Sequence, residues 1–531
     1  MLQTPRLPGA SAESAHPGRL ANWSTLAAVL VALTAFRFWA AAHLGLIPDE
    51  TYYWLWSRVP SWGYYDHPPM IAWWIWLSTR FFGPTSLGVR FLPVLSVLLV
   101  SVAVYGTARE LLADKAYAAR AALWVNAMFL IGGGAVFATP DAPSILFWTL
   151  GVWILARIRN RPNAYLWILF GAIAGLGCVS KYTNLFLGAA VVTWLLADPK
   201  ARRWLASPWL YIGGAVALAV FAPVILWNAG HHWVSFAKQF GRIEDGHLTL
   251  RYLGEFLAVQ FALLNPLIAI LAIAAIGRAL RSPRGGQFSP AAFLLATAGP
   301  LIVYMLVHSL HDRVHGNWPG PIYPTIALLA AMADGKHLGI HLRRMASLAA
   351  PVGIGLPLLA LAYFGLTGAD PLPFPSQADL LFGWSGLFDE VNAIRERENA
   401  GWIATADYGL TAELDYHSRG ISPVEEIVDR ERYSYDRPNL SLSKKPALLI
   451  LRDHDKKDGW VLTCFGVATP VGVVARSAGN HFIESYHLYK VSGALGDLLS
   501  HGCLKDRNLQ SATTPHASLR HIGTRLLHVG S

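Results

Sequence analysis

The chain has 531 residues, of which 54% are hydrophobic and only 14% are charged. This composition supplies more apolar surface than a water-soluble core can bury, and it predicts a protein that is partly dissolved in lipid. The formal net charge of +10 would suit nucleic-acid binding, but the basic residues are dispersed, without basic runs or zinc-ligand spacing, which excludes that class as the main function.

Residues 1–21 are polar and contain Arg6 and Arg19, and an apolar stretch too long for a signal-peptide core follows them. We expect a cytoplasmic leader and an uncleaved first span. A span requires about 20 mostly apolar residues, and charge-free windows of that kind recur as far as residue 370. Five windows are clear, at 90–109, 120–141, 255–278, 313–334 and 344–370. Further spans are expected near 22–46, 142–156, 162–180, 182–197, 207–228 and 288–310.

The windows predict an all-α polytopic membrane protein with about 11 transmembrane helices over residues 22–368. The segment 68–79, PPMIAWWIWLST, is too short to cross and rich in Trp. It predicts interfacial helices in the first extracytoplasmic loop. Lys and Arg concentrate in the leader and in every second loop, at 109–120, 157–161, 200–203, 278–284 and 336–344. The N-terminus is therefore predicted to be cytoplasmic, in a bacterial inner membrane, with the other loops periplasmic.

After residue 369 the pattern changes to apolar runs separated by Gly, Pro and charged turns, such as PALLILRD and GWVLTCFGVATPVGVVA. This predicts a small extracytoplasmic α/β domain over 369–497, and the polar remainder, 498–531, is expected to be loosely ordered. Of the three Cys, Cys464 and Cys503 could pair if this domain faces an oxidising compartment. Free thiols are the expectation.

We expect two pairs of ionisable residues in the first loop to carry the chemistry. Asp49 and Glu50 directly follow the first span in IPDETYYWLW, where adjacent carboxylates at a membrane face are costly unless they are used or well solvated. Asp66 and His67 precede a Pro-Pro pair in WGYYDHPP, which holds an acid and an imidazole at the headgroup plane. The alternatives are a solvated loop pair for Asp49 and Glu50, and a helix-capping role for Asp66.

The string DETYYWLWSRVPSWGYYDHPPM, together with TPDAP at 139–143 and SKYTN at 180–184, resembles the dolichyl-phosphate-mannose-type and the aminoarabinose and galacturonic-acid transferases of glycosyltransferase superfamily C. The resemblance covers roughly residues 25–340. It implies a multi-span enzyme whose site lies in extracytoplasmic loops and whose donor is a sugar on a polyprenyl phosphate. It also implies that Asp49 is the catalytic base or an acceptor-positioning residue with Glu50 beside it, and that Asp141 is a second carboxylate at the same cavity.

The aminoarabinose transferases have an acid-Lys-Pro-Pro run in which the Lys meets the carrier phosphate, whereas this chain has His67 at that place. Glycosyl transfer requires a carboxylate to deprotonate the acceptor hydroxyl and cations to stabilise the departing phosphate. His67, Arg242 and Arg313 are predicted to hold the phosphate; Arg242 and Arg313 are the first choices among the cations, and Lys181 comes after them. Membrane-flanking anchors are the alternative role for such cations.

The predicted function is inverting transfer of a sugar from a polyprenyl-phosphate carrier to an envelope acceptor, such as lipid A or the lipopolysaccharide core. Asp49 is the predicted base, and Asp66 and Asp141 position donor and acceptor. The alternatives are a protein O-glycosyltransferase and a lipid-linked-sugar flippase. No cofactor is predicted, because the adjacent His231 and His232 lack the spacing of a helical metal site; a divalent metal stays open as an alternative.

Overall fold

The structure is a computed structural model that describes residues 23–112, 114–241, 248–281, 288–333, 339–368, 377–453 and 458–503. The chain divides into two compact units. Unit 1 comprises Met1–Trp384 with the short segments Ser434–Asp436 and Ser477–Ile483, and unit 2 comprises Ser385–Tyr433, Arg437–Arg476 and Glu484–Ser531. The predicted leader, and the predicted tail from residue 504 onward, lie outside the described residues.

Unit 1 is helical. In chain order its helices are α1 Trp23–His43, α2 Pro48–Arg58, α3 Met70–Phe82, α4 Ser86–Leu111, α5 Lys115–Asn126, α6 Phe129–Gly132, α7 Asp141–Asn160, α8 Leu166–Ser180, α9 Phe186–Ala197, α10 Pro208–Gly230, α11 Val234–Phe240, α12 Arg251–Leu263, α13 Pro266–Arg281, α14 Pro290–His308, α15 Tyr323–Ala331 and α16 Ile340–Thr367. Short 3₁₀ helices lie at Gly134–Val136, Tyr182–Leu185, Ala201–Ala206, Gly320–Ile322 and Gln377–Leu381.

Six of the described helices have the length and apolarity to cross a membrane: α1, α4, α7, α10, α14 and α16. Up to 8 spans result if each of two bent helix pairs is counted as one. Three further apolar helices are shorter, at 166–180, 182–197 and 320–331. A multi-pass helical chain is therefore confirmed, while the exact number of spans and the side that each loop faces stay predictions.

Three of the clear charge-free windows are not single spanning helices. The window 120–141 is bent by 69° where α5 gives way to the short segment 129–136. The window 255–278 is bent by 105° between α12 and α13, where Asn265 adopts a positive φ of 66° ahead of Pro266. The window 313–334 contains only the nine-residue α15 after a 3₁₀ turn. Counting charges does not detect these breaks, because Pro, Gly and Asn interrupt a helix without adding charge.

Buried polar side chains hold the breaks together. The side-chain amide of Asn265 donates to the carbonyls of Ala127, at 3.1 Å, and Ala349, at 3.0 Å. Near the first break, the buried Arg37 of α1 donates to the Asn126 side-chain oxygen at 2.9 Å and to the Gly132 carbonyl at 3.3 Å. Carbonyls freed by a broken helix thus find donors inside the protein, as the absence of water in a membrane core requires.

Helices α8 and α10 come into direct contact at a pair of glycines. A Cβ built on Gly171 would lie 2.0 Å from the carbonyl oxygen of Gly213. Small residues at such a crossing allow the two backbones to touch, which is how helices associate where no water drives them together.

Unit 2 contains a five-stranded sheet of order β2-β1-β3-β5-β4. Strand β1 pairs in parallel with β2 and β3, and β3 pairs antiparallel with β5. The small C-terminal sheet with helices is as predicted. The strands are β1 Trp402–Thr405, β2 Val424–Glu426, β3 Ala447–Arg452, β4 Phe465–Ala478 and β5 His481–Ala494, and the helices are α17 Trp384–Arg397, α18 Tyr408–Ser418, α19 Asp458–Leu462 and α20 Leu498–His501. Turns of 3₁₀ helix lie at Arg430–Tyr433 and Leu440–Lys444.

The expectation of free thiols was wrong for two of the three cysteines. Cys464 and Cys503 form a disulfide whose Cα atoms are 5.9 Å apart. Both residues pack on the same apolar cluster of unit 2, which brings them together across a sequence separation of 39 residues. Sequence spacing alone did not reveal this proximity. Cys178 is a buried free thiol.

Candidate active site

The first acid pair lies at the start of α2. Pro48 occupies the first turn, where its missing N–H is no loss, and Asp49 and Glu50 follow it. The Glu50 side chain turns back and accepts the Ile47 backbone N–H at 3.1 Å. Asp49 is half-buried. The two adjacent acids therefore meet different surroundings although they share one helical turn.

Glu50 is fully buried in an ion pair with Arg90 of α4. The Arg90 Nε donates to Glu50 Oε1 at 2.7 Å, and the Ala138 backbone N–H donates to the same oxygen at 2.7 Å. Arg90 also donates to the carbonyls of Leu44, at 2.9 Å, and Gly45, at 2.6 Å. This pair fastens the ends of α1, α2 and α4 to the segment that leads into α7.

The second ionisable pair, Asp66 and His67, lies between α2 and α3. Asp66 is buried and accepts the Tyr52 hydroxyl at 3.0 Å. The Gln239 side-chain amide donates to the Asp66 backbone carbonyl at 2.7 Å. The N-cap of α3 is Pro69, so Asp66 does not occupy the capping position that was its alternative role. The half-buried ring of His67 follows Asp66.

Asp141 is the first residue of α7 and is buried, as is Lys181 directly after α8. The Lys181 ammonium donates to Asp141 Oδ1 at 2.6 Å, and the Asn317 side-chain amide donates to Oδ2 at 2.6 Å. The negative carboxylate at the helix N-terminus is favourable because the helix dipole is positive there. Two motifs from the sequence, TPD and SKY, thus meet in one ion pair.

A narrow cavity of about 30 Å³ lies between His67 of the first loop and Lys181 of this ion pair. His67, Lys181 and Gln239 are among the side chains that line it. Tyr304 and Trp318 supply aromatic walls. The structure therefore brings together residues of the first loop, of SKYTN and of α11, which lie far apart in the sequence.

The structure does not bring Arg313 to this cavity. Its exposed guanidinium donates to Glu255 at 2.9 Å, and Arg251 donates to the other oxygen of Glu255 at 3.2 Å. Glu255 raises the pKa of the Arg313 guanidinium through this hydrogen bond. Arg242, the other first choice for the phosphate, lies outside the described residues.

Within the described ranges, no group of three or more His, Cys, Asp and Glu side chains could hold a metal ion. His231 stacks on Trp227 with ring centroids 4.1 Å apart, and its Nδ1 lies 2.7 Å from the Trp227 carbonyl. The adjacent His232 has a positive φ of 55°.

Sequence reasoning missed Tyr52, Gln239 and Asn317 as partners of the acids. Tyr52 carried a usable signal, because it lies in the same motif as Asp66, 14 residues before it. Asn317 carried none, since 176 residues separate it from the carboxylate that it contacts. Only the folded chain reveals that pairing.

Comparisons with known proteins agree with the motifs. The profile of the family described as dolichyl-phosphate-mannose-protein mannosyltransferase matches residues 66–227. Over 74% of this chain and 83% of the relative, the chain is 25% identical to the lipid A galacturonosyltransferase RgtD of Rhizobium johnstonii. It is 26% identical, over 56% of this chain and 62% of the relative, to the lipopolysaccharide core galacturonosyltransferase RgtB of the same organism.

Among solved structures, the fold resembles the crystal structure of ArnT from Cupriavidus metallidurans bound to undecaprenyl phosphate. The TM-score is 0.63 at 16% identity, and the match covers 90% of this chain and 100% of that chain. The resemblance to the polyprenyl-phosphate-sugar transferases of superfamily C, first drawn from the DE, DHPP and TPD motifs, is thereby confirmed.

Proposed function

We propose that this chain is an inverting glycosyltransferase that moves a sugar from a polyprenyl phosphate to a lipopolysaccharide acceptor, lipid A or core. Relatives named for transfer of galacturonic acid to lipid A and to the core support the acceptor class. The ArnT structure, which was solved with undecaprenyl phosphate, supports the donor class. The sugar itself stays open among hexose, uronic acid and pentose.

One observation carries the proposal: Lys181, whose ammonium is paired with Asp141, and His67 come from separate motifs and line one cavity. Lys181 and His67 supply positive charge or hydrogen-bond donors there, and Asp141 fixes the lysine at 2.6 Å. A departing phosphate requires such preorganised donors. Lys181 therefore takes precedence over Arg313, whose exposed side chain is engaged with Glu255.

In the proposed reaction the acceptor hydroxyl oxygen attacks the anomeric carbon opposite the carrier. The new carbon–oxygen bond forms as the bond to the phosphate oxygen breaks, and the electron pair leaves with the polyprenyl phosphate. Asp49 accepts the hydroxyl proton. Asp66, oriented by Tyr52, positions donor and acceptor together with Asp141. If the acceptor is itself a phosphate, no base is needed and Asp49 becomes a positioning residue. The proposal includes no metal.

We place this chemistry on the extracytoplasmic face of a bacterial inner membrane. The cationic loops alternate with those that carry the acids. The Cys464–Cys503 disulfide gives independent support, since such bonds persist mainly in oxidising compartments and unit 2 follows the last span.

The match to the protein-mannosyltransferase profile favours a second candidate, in which the acceptor is a protein hydroxyl. Donor and site residues would be the same. Only the acceptor tells the two apart.

The test is transfer of labelled sugar from polyprenyl-phosphate donors to lipid A, to core lipopolysaccharide and to total envelope protein by the full-length protein in lipid vesicles. We expect label in the lipopolysaccharide fraction, unchanged by EDTA, and at limiting donor much less label in Lys181→Met but not in Arg313→Met. Label in protein alone would replace the first candidate by the second. No transfer from any polyprenyl-phosphate sugar would refute both.

A further inference from the structure

A second concave surface lies between α5 and α16, with a volume of about 640 Å³. This volume is in the range of about 300–1,000 Å³ typical of ligand sites. The groove is deep because small residues of both helices line it: Ala116 and Ala119 on α5, Ala350 and Gly355 on α16. A Cβ on Gly355 would meet no atom within 4 Å. The groove is thus an open, apolar channel along two helices.

One cation lies in this otherwise apolar channel. Arg120 is half-buried at its wall, and no described carboxylate forms an ion pair with it. Asp114, the acid nearest to it in the sequence, caps α5 by accepting the Ala116 N–H at 2.7 Å. Three more basic residues lie in the first turns of the two helices: Lys115 on α5, and Arg343 and Arg344 on α16. The helix dipoles are also positive at these N-termini.

The groove lies at the opposite end of the bundle from the candidate active site. Helix α4 carries Arg90 of the Glu50 pair in its first turns and ends at Leu111, just before α5 begins at Lys115. Its 26 residues correspond to a length of about 39 Å. A sugar carrier whose phosphate must reach Lys181 would therefore not have its phosphate at Arg120.

We propose that this groove binds an anionic phospholipid as a resident lipid. One acyl chain lies against Ala350, Pro351 and Gly355, and the phosphate of the head group contacts the Arg120 guanidinium. Basic pockets between transmembrane helices recognise anionic head groups in this way, and an arginine fork fits phosphate oxygens. The site is separate from the sugar-transfer chemistry and does not depend on it.

The test uses the full-length protein in detergent, stripped of lipid and titrated with phosphatidylglycerol, phosphatidylcholine or undecaprenyl phosphate. Binding is read by native mass spectrometry and by the shift in melting temperature. Arg120→Gln removes the phosphate contact, and Gly355→Trp fills the channel. Matched controls are Arg203→Gln, a cation outside the groove, and Gly214→Trp, a glycine with equally open surroundings on α10.

We expect phosphatidylglycerol to bind and stabilise the wild type, and phosphatidylcholine to do so much less. Arg120→Gln should weaken phosphatidylglycerol binding by about 10- to 100-fold, the loss of one hydrogen-bonded charge contact. Gly355→Trp should abolish it, and both controls should bind as the wild type does. Equal binding of the two phospholipids, or unchanged binding in Arg120→Gln, overturns the proposal. Preferential binding of undecaprenyl phosphate at this groove would reassign the site to the carrier.

Discussion

Two ion pairs in unit 1 are both buried, but their surroundings differ. Glu50 and Arg90 are fully buried, and backbone groups of three segments share their remaining hydrogen bonds. Asp141 and Lys181 are also buried, but Lys181 lines a cavity and the other oxygen of Asp141 accepts from a side chain. Burial of a charge pair therefore does not identify chemistry.

The largest effect is expected at the enclosed pair. Arg90→Met leaves the Glu50 carboxylate buried without its cation, which should lower the free energy of unfolding by about 3–5 kcal/mol. Arg313→Met, which breaks an exposed pair with Glu255, should cost no more than about 1 kcal/mol. Thermal unfolding in a fixed detergent compares them. An equal loss of unfolding free energy in the two variants would contradict the distinction between a structural ion pair and a surface ion pair.

Next in size is the loss of turnover at the neighbour of Glu50. Asp49→Asn keeps the size of the side chain and removes the proton acceptor, so kcat should fall by about 10²–10⁴-fold. Glu50→Gln should instead lower the yield of folded protein, because its charge holds Arg90. Single-turnover transfer to a hydroxyl acceptor measures the first effect per folded molecule. A wild-type rate for Asp49→Asn would remove the base from the proposed mechanism.

At the pair that faces the cavity, the expected loss is in binding. Lys181→Met should raise KM for the polyprenyl-phosphate donor by about 10- to 100-fold, the value of a hydrogen bond to a charged group. The double variant Asp141→Asn with Lys181→Met controls for the buried acid left behind. If KM is unchanged while the melting temperature falls, Lys181 has a structural role. Its pair with Asp141 would then be a structural ion pair, like that of Glu50 with Arg90.

The smallest effect concerns a third kind of buried acid, in unit 2. Burial raises the pKa of Glu426 to about 7, so its stabilising neutral form is lost as pH rises from 4.5 to 7. Burial, with a contribution from Arg419, lowers the pKa of His417 to about 4, so stability is lost there as pH falls from 6.5 to 4. The two slopes oppose each other in the wild type.

Glu426→Gln removes one slope and should stabilise unit 2 above pH 7 by about 1–3 kcal/mol. It should also leave the His417 slope visible below pH 6.5. Hydrogen exchange of unit 2 peptides in the full-length protein measures both, with the exposed Asp497→Asn as control. If the stability of unit 2 has the same pH profile in Glu426→Gln and in the wild type, Glu426 stays ionised.

The sequence could identify the acids but not their partners. Asp49, Asp66 and Asp141 stand in short motifs whose order resembles a family, and motif order survives without coordinates. The contact between Glu50 and Arg90 depends on packing between residues 40 positions apart. The sequence does not indicate which of the two adjacent acids pairs with the arginine. The multi-span fold followed from hydropathy. The helix break at Asn265 was within reach, because Pro266 follows it inside an apolar window.

The Cys464–Cys503 disulfide also orders the events of biogenesis. The bond cannot close until residue 503 has been synthesised, and by then the chain that makes up β4 and β5 is already complete. Closing that ring restricts the unfolded chain, a gain of about 4 kcal/mol for a loop of this length in the chain-entropy account. If unit 2 lies in the oxidising compartment proposed above, a cell that lacks its thiol oxidase should make the spans of unit 1 normally and lose the chain to proteolysis from unit 2.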